Sequence, residues 1–199
     1  MRRTKEEAEK TRQDLLDAAL ALFSRKGYES TRLEDIAQSA GVTRGAIYHH
    51  FGGKEELFIA LLDDASAISN KAIQQAIVEG GSLIEILSRI LVYTFNLIED
   101  DTRFRQVMAL TLAATNVDEL ARRKYSEAKE LVGSIGEALA RGIESGELRP
   151  DLDPNNAARA LLAYQNGLAL LWFYNRDTFS VKDNAEAMAQ IYLYGIAKN

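Results

Sequence analysis

Only two prolines stand in this 199-residue chain, Pro150 and Pro154, and both lie in one short turn. Proline breaks helices because it lacks an amide proton and its ring clashes with the preceding turn. The chain on either side is therefore free to be helical, and its apolar residues recur with helical rather than strand period. Leu15, Ala18, Ala19, Leu22 and Phe23 form one stripe, closed by Gly27. Leu33, Ile36, Ala37 and Ala40 form a second, short stripe stopped by Gly41, and Thr31 with Glu34 fits a capping box at its start. Thr43 is placed to cap a third helix with Ala46, Ile47 and Phe51 inward. Gly52-Gly53 then breaks the chain before a longer helix opens at Lys54, with Leu57, Phe58, Leu61, Leu62 and Ala65 inward. Five more helices are expected: Ser82 towards Ile98, Thr102 through Ala113, about Val117 to Ser145, Pro154 to about Asn175, and about Val181 to Ala197. Asp153 caps the fourth of these, with Pro154 at the first helical position, and Asp100-Asp101 reads as caps at a junction. The expected fold class is all-α with about nine helices.

Composition narrows the function. A hydrophobic share of 47% is ordinary for a globular chain and argues against disorder. Cysteine is absent, which excludes a disulfide scaffold and thiolate chemistry. The charged start MRRTKEEAEKTRQ has no apolar run behind it and is not expected to be a secretory leader. The longest apolar stretch, Ala157 to Tyr174, is interrupted by Arg159, Gln165 and Asn166, so no membrane partner is expected and the location expected is the cytoplasm. His49 and His50 are the only histidines; helix neighbours point about 100° apart and cannot chelate one metal together. No triad, phosphate loop or carboxylate motif is present, so no enzyme activity, metal or cofactor is expected. The net charge of −5 alone argues against nucleic acid, but residues 1–62 hold 10 Lys/Arg and 10 Asp/Glu and are neutral. Charge thus neither proves nor excludes DNA binding, and favours the first third as its place.

Two short helices joined by a glycine turn and held by apolar residues make a helix-turn-helix. The outer face of its second helix carries Thr43, Arg44, Gly45, Tyr48 and His49. Arg44 can donate two hydrogen bonds to a guanine edge, Gly45 permits close approach, the Tyr48 hydroxyl suits a phosphate, and Thr43 suits a phosphate or contacts a thymine methyl. A simple pair of packed helices with solvated Arg44 and His49 would show the same spacing.

The stretch Thr31 to Phe58, TRLEDIAQSAGVTRGAIYHHFGGKEELF, decides between these readings. With the preceding LLDAALALFSRKGYEST it resembles the DNA-binding signature of the tetracycline-repressor (TetR) family over roughly the first 60 residues, and within that family it is similar to repressors of multidrug-efflux genes. The resemblance implies that Thr43, Arg44, Gly45, Tyr48 and His49 face the groove and that Thr31 and Lys54 hold phosphates at helix N-termini. It implies a three-helix DNA-binding domain over residues 1–53 and a helical ligand-binding and dimerisation domain over 54–199. The Gly52-Gly53 pair departs from the family pattern and loosens the joint before Lys54. Arg2, Arg3, Lys5 and Lys10 precede the first helix in this reading, where they reach DNA or fray into solvent.

Downstream, the helix from Pro154 is apolar almost all round and must be covered on every side, by its own core and by a partner or by core alone. The resemblance implies that the last two helices build a four-helix homodimer interface, with Leu161, Tyr164, Leu168, Leu171, Met188, Ile191 and Tyr192 as its candidates. Aromatic and polar groups inside apolar helices suit a pocket for a planar, largely apolar effector, or plain core packing: Phe95, Asn96, Phe104, Met108, Thr111, Tyr125, Gln165 and Trp172. The expected function is a homodimeric repressor on a palindromic operator, released by a small hydrophobic or aromatic molecule. An activator, a regulator without a ligand, and a helical enzyme or adaptor that keeps the fold without binding DNA stand as alternatives, the last opposed by intact Thr43, Arg44, Tyr48 and Lys54.

Overall fold

The computed structural model describes the backbone of residues 4–113 and 118–198, and the side chains of that span other than 112–125 and 127. The described residues form nine helices and no strand: α1 Lys5–Lys26, α2 Leu33–Ser39, α3 Arg44–His50, α4 Lys54–Val78, α5 Leu83–Asp100, α6 Thr102–Ala113, α7 Asp118–Glu144, α8 Pro154–Tyr174 and α9 Ala185–Ile196. None is long and apolar enough to cross a membrane. The chain forms two compact units, Met1–Ile68 with Gln106–Thr115, and Ser69–Arg105 with Asn116–Asn199; α4 passes from the first to the second between Ile68 and Ser69.

In the first unit, Leu15, Leu16, Ala19 and Phe23 of α1, Ile36 of α2, Ile47 of α3 and Leu57, Phe58 and Leu61 of α4 are almost wholly buried. The rings of Phe23, Tyr28 and Phe58 meet with centroids 5.0 to 5.5 Å apart. Lys26 and Asp35 tie the end of α1 to α2 at 2.8 Å. α1 begins earlier than the apolar stripe suggests. Thr4 and Glu7 make a complete capping box, so Lys5 and Lys10 lie within the helix rather than before it, while Arg2 and Arg3 fall outside the described residues.

The capping box expected from Thr31 and Glu34 does not form. α2 starts at Leu33 with Arg32 as its cap residue and no side-chain cap bond. The Thr31 side chain turns inward, 2% exposed, and its hydroxyl donates to the Gly27 carbonyl at 2.7 Å. That bond satisfies an orphan carbonyl at the end of α1, which outweighs a cap on a two-turn helix.

In the second unit, α5 buries Leu87, Leu91, Phe95 and Ile98 along one stripe and opens with a Ser82–Glu85 capping box. Its first amide, on Leu83, donates to Glu147 at 2.6 Å. Gly142 lets α7 pass this helix start, since an added Cβ would collide with Leu83 and Leu148. Asp153 caps α8 by accepting from the Asn156 amide at 2.6 Å, with Pro154 following it. Asp101 caps α6 through the Phe104 amide at 2.8 Å, whereas Asp100 pairs with Lys182 at 2.7 Å.

α8 and α9 cross through a reciprocal clasp. The Tyr164 hydroxyl donates to the Met188 carbonyl and the Tyr192 hydroxyl to the Ala157 carbonyl, each at 2.8 Å, with the two rings stacked. α9 starts at Ala185, not Val181. Residues 180–184 spend their polar groups in turns: the Asp183 amide donates to Ser180, and the Ser180 hydroxyl and Lys182 amide both donate to the Glu99 carboxylate. Val181 is fully buried and anchors that turn.

Candidate nucleic-acid interface

The turn between α2 and α3 is built on Gly41, whose φ of +66° suits glycine, and the Val42 amide donates back to Ala37 at 2.9 Å. α3 is fixed from below by Ile47, its one fully buried residue. At its far end the Gly52 amide donates to the Tyr48 carbonyl and Gly52 takes φ +100°, so the chain leaves the helix sharply. Gly52 is thus a required conformation more than a loose joint. Gly53 lies outside the positive-φ region.

This framework leaves Thr43, Arg44, Gly45, Tyr48 and His49 exposed together on one face of α3. Thr43 occupies the cap position but its hydroxyl makes no cap bond. Gly45 has no internal reason to be glycine: its φ is ordinary, and an added Cβ would meet only Thr43 Oγ1, at 3.8 Å. Glycine in a helix costs about 1 kcal/mol against alanine. Nothing in the described structure calls for its small size.

Arg44 extends across this face. Its Nη2 donates to the Tyr48 hydroxyl at 2.8 Å, its Nη1 to Glu34 on α2, and its guanidinium carbon lies 5.4 Å from the Tyr48 ring centre. These partners hold the guanidinium more firmly protonated than usual, the Tyr48 hydrogen bond first and the Glu34 charge next. Because the Tyr48 oxygen accepts from Arg44, its own proton is left to donate outward, as a phosphate contact requires. His49 is exposed and meets His50 edge to face.

Lys54, at the start of α4, sits over the Tyr28 ring at 4.4 Å and donates to the Glu29 carbonyl at 3.2 Å. Burial pushes its pKa down. It braces the α1–α2 loop while keeping its ammonium at the helix N-terminus. Since Thr31 is turned inward, the side chain at that junction open to solvent is Arg32. Arg32 was not singled out by spacing, and Glu34 only as a capping partner of Thr31; the signal available was that both lie on the outer side of the Leu33–Ile36–Ala37 stripe.

The expected dimer residues divide. Leu161 is buried in the core, and Tyr164, Met188 and Tyr192 make the clasp within one chain. Leu171 and Ile191 are exposed, 55% and 68%. The same side of the two helices carries, beside Leu171 and Ile191, residues that the sequence reading did not name for the interface. On α8, Ala160, Ala163, Gly167, Leu170, Leu171 and Tyr174 lie away from the buried Ala158, Leu161, Ala169 and Trp172; Ala187, Ile191 and Tyr194 line the outer face of α9. The i, i+3, i+7 recurrence from Ala160 to Tyr174 was the signal.

Of the expected pocket residues, Phe95, Phe104 and Trp172 are buried, and Gln165 is half-buried. The Phe95 ring meets Tyr164 edge to face at 6.4 Å, and Trp172 meets Phe173. Asn96 lines an open groove of about 580 Å³ with Tyr93, Leu97, Asp100, Asp101 and Thr102. Met108 and Thr111 belong to the first unit, the others to the second, and the Tyr125 side chain lies outside the described residues.

Comparison with known proteins agrees with this geometry. Residues 15–61 match the model "Bacterial regulatory proteins, tetR family", and residues 84–198 match "BetI-type transcriptional repressor, C-terminal". The chain is 33% identical over 191 residues to the HTH-type transcriptional regulator TtgR of Pseudomonas putida, covering 94% of this chain and 91% of that one. The crystal structure of NalD, the secondary repressor of the MexAB-OprM multidrug efflux pump in Pseudomonas aeruginosa, superposes with a TM-score of 0.83 at 26% identity, covering 98% of this chain and all of that one. A SmeT–triclosan complex superposes with a TM-score of 0.83 at 26% identity, covering 95% and 92%; SmeT represses the Stenotrophomonas maltophilia multidrug efflux pump SmeDEF.

Proposed function

The chain belongs to the TetR family of bacterial transcriptional regulators, and from that premise we propose that it is a cytoplasmic homodimer that represses genes from a palindromic operator until a small hydrophobic molecule releases it. The observation that carries the DNA-binding part is the exposed face of α3, with an unexplained glycine at its centre and a guanidinium beside it. In this reading Arg44 reads a guanine edge, Tyr48 contacts a phosphate, Thr43 contacts a phosphate or a thymine methyl, and His49 flanks them. Lys54 and the exposed Arg32 hold phosphates. The functional division falls at the joint between α3 and α4, with residues 1–53 reading DNA and 54–199 binding effector and partner.

Dimerisation follows from the exposed stripes on α8 and α9. A contiguous apolar face on a helix calls for a partner. A second copy supplies the same two helices, and the pair of small alanines with Gly167 allows close approach across a two-fold axis. Within the second unit, the aromatic and polar residues Phe95, Asn96, Phe104, Gln165 and Trp172 support the effector class, as does the likeness to SmeT, whose complex holds triclosan.

The test is fluorescence anisotropy on a labelled duplex recovered from the protein's own genome, with triclosan as probe. Triclosan is expected to weaken DNA binding roughly 5- to 150-fold, and by linkage the duplex must weaken triclosan binding by the same factor. Binding of triclosan with equal affinity to free and DNA-bound protein would remove release by this class of compound.

A further inference from the structure

Arg44 does not stand free before DNA arrives. Its Nη1 is taken by the Glu34 carboxylate of α2 and its Nη2 by the Tyr48 hydroxyl one turn along α3. The ion pair therefore spans the two helices of the motif, on the surface that carries Thr43, Gly45 and His49. Both partners are about half exposed, 53% and 56%, so the pair adds little to folding. A carboxylate on a surface built to meet phosphates needs another reason.

That reason lies in what each class of acceptor asks of the guanidinium. A guanidinium has five N–H donors, two on each terminal nitrogen. With Glu34 and Tyr48 each taking one, both terminal nitrogens keep a second hydrogen. By count, one hydrogen on each terminal nitrogen remains for the two acceptors of a guanine edge, O6 and N7. A guanine edge is uncharged and leaves Glu34 where it is. A phosphate carries a full negative charge, approaches against the Glu34 carboxylate, and gains most only by displacing it. Glu34 thus holds Arg44 towards a neutral base edge and makes it a poor anchor for backbone.

We propose that Glu34 is a specificity-determining positioning residue of the DNA-reading surface, holding Arg44 for guanine and against phosphate. This rests on the reading of Arg44 as the guanine contact. The experiment separates the two. The probes are a duplex recovered from the protein's own genome, a scrambled duplex of equal length, and a series in which each guanine in turn is replaced by 7-deazaguanine, which lacks the N7 acceptor. Wild type, Arg44→Ala, Glu34→Gln and Glu34→Ala are titrated on all of them, with thermal melts to show that the exposed substitutions leave folding intact. A guanine whose replacement weakens wild type but not Arg44→Ala is the Arg44 contact; if none exists, the reading of Arg44 falls and the role of Glu34 falls with it. At that guanine, both Glu34 variants are expected to show a smaller penalty than wild type. On the scrambled duplex they should bind roughly two- to fivefold more tightly, the scale of an exposed ion pair. Equal tightening on every duplex, with the guanine penalty unchanged, would make Glu34 a general surface charge and overturn the proposal.

Discussion

Arg44 and Lys54 are both cations at helix starts, but their surroundings give them different work. Arg44 is exposed and forked, held by Tyr48 and Glu34. Lys54 is half-buried, with its ammonium on a ring face and a main-chain carbonyl. Arg44→Ala should lose preference at one base position, by roughly tenfold or more. Lys54→Ala should weaken all duplexes alike and lower the salt slope by about one. Titrations of both variants at two salt concentrations check this, and identical profiles would contradict the division of roles. Tyr192 gives a second test at this scale. Burial pushes its phenol up to about 12 from the ordinary 10.0. A raised value means that the folded state holds the proton more tightly, so the contribution is complete below the unfolded value and is lost as pH climbs through the folded one. Wild type should therefore lose stability between about pH 10 and 12 more steeply than Tyr192→Phe. Thermal melts across that range measure it; parallel losses would place the titration elsewhere.

Among the elements, the joint between α3 and α4 is the most demanding. Gly52 holds φ +100°, where a side chain is strained whatever the space, while a Cβ on Gly53 would meet only the flexible Glu56 carboxylate, at 2.8 Å. Gly52→Ala should destabilise the protein by about 1–2 kcal/mol and Gly53→Ala by much less. Urea melts of the two single variants decide it, and equal effects would mean that the turn relaxes freely. This joint also shows what the sequence could and could not convey. The glycines announced the breaks after α1, α2 and α3, and the apolar stripes placed the nine described helices, because period and breakers are local properties. The fate of Thr31 was not local: its hydroxyl had a choice between capping α2 and closing α1, and packing made it. For α9, the apolar pattern ran on to Val181, but the Ser180 and Lys182 bonds to Glu99, some eighty residues away, hold that segment in turns. The face of α3 was legible as a set because five residues at helical spacing need no tertiary partner to be exposed together. The clasp of Tyr164 and Tyr192 was not, since an aromatic on an apolar helix looks the same whether it meets its own chain or another.

For the whole molecule, α4 is the helix that starts in the unit holding α3 and ends in the other. At its far end Arg89 grips the helix: it donates to the carbonyls of Ala76 and Gly80 and pairs with Glu79. A shift of that end on effector binding would carry to Lys54 and, across Gly52, to α3. Two copies are needed for this to matter, because the effector must favour one spacing of the two reading heads over another. Leu171→Glu together with Tyr174→Glu, on the exposed stripe of α8, should give monomers that bind DNA weakly; light scattering that still shows dimers would move the interface elsewhere. The most direct test of the central claim is to sequence the fragments of its own genome that the protein retains, with Arg44→Ala as the control. The expected result is a shared inverted repeat with half-sites about 34 Å apart or a small multiple of it, retained by the wild type and lost by Arg44→Ala. Retention of unrelated fragments, or of the same fragments by both proteins, would contradict it.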